Sequence, residues 1–519
     1  MRLAQLAIRG GEVRLELDPL CDLLLLSFGH EEALYPRGRE HLVVSDIRPF
    51  LIGGEWKTSD ETFEVHSPYD SSLVATVAVP SKDDVESAIA GAAAVFDETR
   101  KLPIHVRAGA LDHISRRLDE RSDEVAELIA REGGKPLKWA RAEAARAVST
   151  FRWAAEECRR SSGELMRLDT EASLGSRLGL IRRFPLGPVL AITPFNFPVN
   201  LVAHKLAPAL AIGAPVVIKP ATKTPLGALL LGELFSETEL PSRMLSVIPI
   251  ESSATQELAQ DRRIAKMTFT GSSEVGWMLK GKDVKKNVTL ELGGNAGVIV
   301  HHDADTGKAA EAIARGGYYQ AGQSCIAVQR VLVHEDVADE LRSKLVEAVS
   351  ALKTGDPLDP ETDVGPLITR DALDRVAQWV DEAVHAGAEV LTGGKREDPF
   401  YAPTVLDNTR RDMKVRSEEI FGPVVTLSTY TDFAEAVAEV NSSKYGLQAG
   451  VFTNDLERIM IAHRDIDVGG VIVNDVSAFR ADQMPYGGTK ESGFGREGLR
   501  YAMDEMTETR ILVLSNVPL

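Results

Sequence analysis

The sequence predicts an α/β protein of more than one domain, built on parallel sheets covered by helices on both faces. Three observations carry this expectation. From residue 186 onward, short apolar strands alternate with helical segments. The alternation resumes after Leu290, through 297–300, 309–321, 330–334 and 339–353. The length of 519 residues also exceeds what one hydrophobic core supports.

The elements follow in order. The first 45 or so residues alternate loosely, as in Val13-Arg14-Leu15-Glu16-Leu17, and read as strands of an appended piece over 1–47. Within it, Leu23–Phe28 is short and apolar, as a buried strand would be. A new start follows at Arg48–Trp56, with a Gly53-Gly54 turn between short strands. Residues 82–98 are alanine-rich and helical, and 104–131 carry apolar residues at helical spacing, as one long amphipathic helix. Gly133-Gly134-Lys135-Pro136 stops it, because glycine and proline continue helices poorly. A further helix spans about Trp139 to Arg160, and 174–184 has strand character, with Arg182 and Arg183 on an exposed ribbon. Then come the strand Val189–Ile192, helix Leu201–Ile212, strand Val216–Ile218, helix Pro225–Phe235, and strands Leu245–Ile248 and Ile264–Phe269. A helix begins near Ser273, and Arg510–Leu514 forms a last strand.

Composition narrows the function. The chain is 44% apolar and 26% charged, as a globular enzyme is. A formal net charge of -18 argues against nucleic acid as the main partner, since phosphates call for a basic surface. Cys21, Cys158 and Cys325 are too few and too scattered for a disulfide framework or a metal site, so a cytoplasmic home without a metal is expected. The N-terminus lacks a signal peptide's apolar stretch, and Leu201–Ala214 is too short and too interrupted by His204 and Lys205 to span a membrane.

A few residues could carry chemistry. An isolated cysteine is more often a core residue than a nucleophile. Cys325, however, follows Gly322-Gln323-Ser324 just after a helical segment, at a crowded and partly polar turn. A thiol there suits attack on a carbonyl. Most glutamates are surface residues, but Glu291 stands at a strand end before Leu292-Gly293-Gly294, where functional side chains collect. Its carboxylate could take a proton from the thiol or from water. Asn196, between Pro194 and Pro198, either satisfies its own turn or aims an amide at developing negative charge. Lys219 follows a strand and could hold a sugar hydroxyl or a phosphate, and Phe269-Thr270-Gly271-Ser272 opens a helix with free backbone donors. No GxGxxG fingerprint follows any strand in this region.

In this order the motifs resemble the aldehyde dehydrogenase superfamily over roughly residues 48–519. The landmarks are Pro194–Pro198, Lys219-Pro220, Phe269–Ser272, Glu291–Gly294, Gly322–Cys325, Glu418–Pro423 and Pro485–Gly488. The resemblance implies an aldehyde dehydrogenase-like fold. Its atypical Rossmann cofactor domain would span 48–160 and 190–293, and its α/β catalytic domain 294–495. Oligomerisation strands would occupy 161–189 and 496–519. It implies NAD or NADP as cofactor and a homodimer or homotetramer. It assigns Cys325 as nucleophile, Glu291 as general base and Asn196 as oxyanion donor. Cofactor contacts would come from Ile192, Thr193, Pro194, Phe195, Lys219, Thr222, Phe269, Gly271, Ser272, Leu292, Glu419 and Phe421. Thr222 stands where NAD-preferring members often carry a glutamate, which opens the site to NADP. Glu251, if turned inward, would oppose NADP.

The resemblance leans toward the branch acting on lactaldehyde and other small polar aldehydes. Residues 138–160 and Asp475–Gln483 would wall the substrate channel. Arg146 and Arg480 are the candidate contacts for a substrate anion, although arginines of the first segment can also face solvent or pair with Glu143, Glu156 and Glu157. A broad aliphatic or semialdehyde dehydrogenase is the alternative, and acyl transfer to coenzyme A is a lesser one.

Overall fold

A computed structural model describes residues 47–518. The strands expected at 13–17 and 23–28, and Cys21, lie outside the described residues.

Eight strands form the first sheet. Their order is Gly493–Phe494, Asn287–Glu291, Lys266–Thr270, Val189–Ile192, Val216–Lys219, Leu245–Val247, Phe50–Ile52 and Glu55–Lys57. The five strands from Asn287–Glu291 to Leu245–Val247 are mutually parallel. Their residues are almost all buried, as expected of strands covered on both faces. The chain runs outward from Val189–Ile192 to Leu245–Val247, then crosses back to lay Lys266–Thr270 on the other side of Val189–Ile192. That reversal opens a crevice beyond Ile192 and Thr270, the place where parallel sheets bind ligands.

The second sheet has seven strands. Their order is Glu389–Thr392, Thr404–Asp407, Val424–Tyr430, Val328–His334, Ala296–Val300, Gln448–Phe452 and Gly470–Val473, parallel except for the first. A third sheet of three antiparallel strands is ordered Thr507–Ser515, Arg177–Pro185, Glu164–Arg167. Arg182 and Arg183 are exposed on its middle strand.

The expected single helix over 104–131 is two helices, Ile104–Glu120 and Ser122–Gly133. Arg121 breaks them with φ -107° and ψ 20°, and its guanidinium pairs with Glu124 and Glu233. A one-residue break leaves the apolar spacing nearly unchanged, so periodicity cannot reveal it. Gly134, in the left-handed region at φ 67°, ends the second helix. The next helix, Leu137–Arg160, starts two residues earlier than expected. No helix among the described residues is long and apolar enough to cross a membrane.

Candidate active site

The loops at the crevice and the helix Leu137–Arg160 enclose a cavity of about 870 Å³. Every candidate site residue named from the sequence lines it: Asn196, Glu291, Cys325, Arg146, Arg480, and the proposed cofactor contacts from Ile192 to Phe421.

The nucleophile candidate is delivered by an unusual turn. Helix Thr306–Tyr318 ends at Tyr318, and Gln320 and Ala321 then adopt positive φ of 52° and 54°. This conformation is costly for residues with a side chain and clusters at functional sites. Cys325 follows, half-buried, with Sγ 3.1 Å from the Tyr486 hydroxyl. Burial pushes its thiol up to about 12, against the hydrogen bond from Tyr486. Gly294 packs on its backbone so closely that a Cβ there would overlap the Cys325 carbonyl. Of the two described cysteines only Cys325 reaches the cavity. Cys158 is buried among helices and its thiol donates to the Ala211 carbonyl at 3.2 Å.

Asn196 is buried, and its Nδ2 donates to the Gln323 carbonyl at 3.0 Å. The second amide hydrogen remains for a ligand, and Oδ1 has no partner. Glu291 ends its strand fully enclosed, with neither carboxylate oxygen hydrogen-bonded. Burial, then the charge of Glu497, holds its carboxyl well above the usual range, while Arg480, Lys205 and Arg496 act the other way.

The crevice end is built for a dinucleotide. Ser272 caps the helix Ser273–Lys282, whose N-terminus opens on the cavity. Glu419 accepts the Gly294 N–H at 2.7 Å through one oxygen, and a Cβ on Gly293 would run into the other. Burial raises Glu419 to about 7. Phe195 and Phe421 meet edge-to-face, centroids 6.0 Å apart. Lys219 is buried, lowered to about 8 by burial, with Nζ 3.4 Å from Ser252 Oγ. Thr222 lines the same wall, and Glu251 is exposed and does not. An anion-binding helix start, a buried lysine and a carboxylate set for a sugar diol fit NAD or NADP as a donor set.

At the other end, Arg146 donates to Asp482 from Nη2 at 2.8 Å and from Nε at 3.2 Å, and His204 and Asn200 share that oxygen. Arg480 is buried, pairs with Glu497 at 3.1 Å and lies 3.7 Å from the Tyr486 ring centroid, with Nε unpartnered. The other arginines of the helix face outward: Arg141 pairs with Asp123, Arg159 with Asp112 and Glu156, Arg160 with Glu157, and Arg152 is exposed. Glu143 pairs instead with buried Lys135. Sequence reasoning gave no role to Tyr486, Glu497, Lys205 or Asp482. Tyr486 stood inside the Pro485–Gly488 landmark. Asp482 stood inside the Asp475–Gln483 wall, and Lys205 and Glu497 meet only in the fold.

The aldehyde dehydrogenase family profile matches residues 56–512. The chain belongs to this family. A 3-sulfolactaldehyde dehydrogenase of Priestia aryabhattai is 44% identical over 89% of this chain and 97% of its own. Aldehyde dehydrogenase 21 of Physcomitrella patens, solved with the reaction product succinate, superposes with a TM-score of 0.89 at 42% identity, over 92% of this chain and 99% of that one. A glyceraldehyde-3-phosphate dehydrogenase of Methanocaldococcus jannaschii, solved with NADP, gives 0.84 at 36% identity, over 88% and 100%. This aldehyde dehydrogenase is accordingly NAD(P)-dependent and oxidises its substrate through a cysteine.

Proposed function

We propose that this enzyme oxidises a small anionic aldehyde to its carboxylic acid through a thioester on Cys325. The observation that carries the reading is the continuous cavity, which joins Ser272 and Glu419 at one end to Cys325 and the buried, partly unpartnered Arg480 at the other. Sulfonate, phosphate and carboxylate in the names of the similar proteins support an anion at Arg480 or Arg146.

Cys325 attacks the aldehyde carbon. Asn196 Nδ2 and the Cys325 N–H hold the oxygen as it becomes negative. NAD(P), when bound, would accept the hydride together with both electrons of the C–H bond, leaving a thioester on Cys325. Ser272, Lys219 and Thr222 would hold its adenosine and phosphate side, and Glu419 would hold the nicotinamide ribose. Glu291 then takes a proton from water, the hydroxyl adds to the thioester, and the acid leaves as sulfur is freed. Burial makes the Glu291 carboxyl hold a proton more tightly, so its carboxylate form takes one from water more readily. The eight-stranded sheet serves the cofactor, and the seven-stranded sheet carries the Cys325 loop. The missing carboxylate at Thr222 admits NADP beside NAD, although the charge of exposed Glu251 still reaches Lys219.

The strand Thr507–Ser515 exposes Ile511, Leu512, Val513 and Leu514 and has a free edge among the described residues. A second copy of the chain would cover it, giving a homodimer or a tetramer of two such pairs. Scattered free cysteines fit a reducing, cytoplasmic setting.

The test is the initial rate of nicotinamide reduction with NAD and NADP. The aldehydes are 3-sulfolactaldehyde, glyceraldehyde 3-phosphate, succinic semialdehyde, lactaldehyde and propanal. A kcat/KM preference for an anionic aldehyde that collapses in Arg480→Gln or Arg146→Gln supports the reading. A profile favouring propanal overturns it and leaves a broad aliphatic oxidiser. That second reading has its own support, since both arginines already hold carboxylates.

A further inference from the structure

The cavity contains a phenol that the reaction above does not use. Tyr486 is 3% exposed, and its hydroxyl lies 3.1 Å from Cys325 Sγ. The Arg480 guanidinium rests 3.7 Å from the same ring's centroid. Glu497 holds Arg480 at 3.1 Å through one oxygen and Lys205 at 2.8 Å through the other, so the arginine is fixed over the ring from behind. The neighbouring phenol of Tyr319 is engaged elsewhere, donating to Ser324 Oγ at 2.6 Å.

We infer that Tyr486 is a positioning residue for the nucleophile: its O–H donates to the Cys325 sulfur and favours the thiolate, and Arg480 stacked on the ring strengthens that donor. A cation on a π-face draws density from the ring and makes the phenolic hydrogen a better donor. A hydrogen bond to an ionised acceptor is about twice as strong as one to a neutral group. The need is evident from the charges that face the sulfur. Glu419 and Glu291 oppose ionisation, Arg480 and Tyr486 favour it, and Tyr319 adds a further buried phenol nearby. The thiol's proton leaves to Glu291 or solvent, and Tyr486 keeps its own. Arg480 would thus serve the nucleophile as well as the substrate.

The inference rests on Cys325 as nucleophile. Its test needs no turnover, so its failure leaves that reading standing. The full-length enzyme is alkylated with iodoacetamide across a pH range, without aldehyde, and modification is read on the Cys325 peptide by mass spectrometry. Tyr486→Phe is expected to slow alkylation near neutrality about tenfold and to move the midpoint up by about one pH unit. Replacing Tyr486 by the more acidic 3-fluorotyrosine should move the midpoint down. Arg480→Gln should move it up, and by clearly less in the Tyr486→Phe background, where only the arginine's direct charge on the sulfur remains. Should Tyr486→Phe fail to fold, the fluorotyrosine protein decides. Midpoints that stay at the wild-type value in both Tyr486 variants overturn the donor role. An Arg480→Gln shift undiminished without the hydroxyl overturns the link through the ring.

Discussion

Cys325 and Glu291 are both groups whose charged forms are disfavoured by burial. Chemistry therefore depends on moving one proton at the right moment rather than on a permanently exposed thiolate. Cys325→Ala is expected to abolish aldehyde oxidation while NAD(P) still binds, as fluorescence titration of the dinucleotide will show. Retained turnover would place the nucleophile elsewhere. Glu291→Gln keeps the shape and removes the base, so thioester should accumulate and steady turnover fall by about a hundredfold or more. A pre-steady-state burst followed by a slow steady phase is the signature. Asn196→Ala removes one oxyanion donor and should cost a similar factor in kcat. These three residues were legible because each sits in a distinctive short motif. Tyr486 was not, because its motif does not say that its hydroxyl meets Cys325, and the Glu497–Lys205 pair has no local signature at all. Lys205 and Glu497 meet across 292 positions of the chain.

The elements that matter most are the strand ends and the loops that leave them. Ile192 and Thr270 end adjacent strands on either side of the reversal, and Glu291 ends the next one over. Apolar runs punctuated by Gly and Pro made these strands readable to within a residue or two. The break at Arg121 was not readable, because packing rather than pattern decides it. Contact between two loops was equally invisible. Gly294 touches the Cys325 carbonyl, and its N–H is held by Glu419. Gly294→Ala should push the cysteine loop aside and loosen the Glu419 contact together. Overpacking of this kind costs about 1–3 kcal/mol, measurable as a lower denaturant midpoint along with weaker dinucleotide binding. A variant of wild-type stability and affinity would show that the loops yield freely.

For the whole molecule, the free strand Thr507–Ser515 and the buried charges set the two expectations. Leu512→Glu on the exposed strand should shift the protein to a smaller species in sedimentation velocity. An unchanged coefficient would mean that another surface assembles it. Buried His204 is pushed down to about 4 by burial and by the charge of Arg480, in spite of Asp482. The unfolded chain takes up that proton more readily, so this contribution to stability is intact above about 6.5 and is lost as pH falls toward about 4. The Tm should decline across that window, and less steeply in His204→Gln. Parallel curves for the two proteins would remove His204 from the account.

By itself the sequence determined the alternation of strands and helices and the family. It also set the chemistry available at Cys325, Glu291 and Asn196. These are local properties, because apolar periodicity and short motifs are written in consecutive residues. Only the tertiary structure decided which charges stand together. Burial turns Glu291 toward neutrality, Glu497 holds Arg480 over Tyr486, and Asp482 occupies Arg146. Electrostatics and desolvation depend on distances through space, and residues hundreds of positions apart become neighbours only when the sheets and helices have packed.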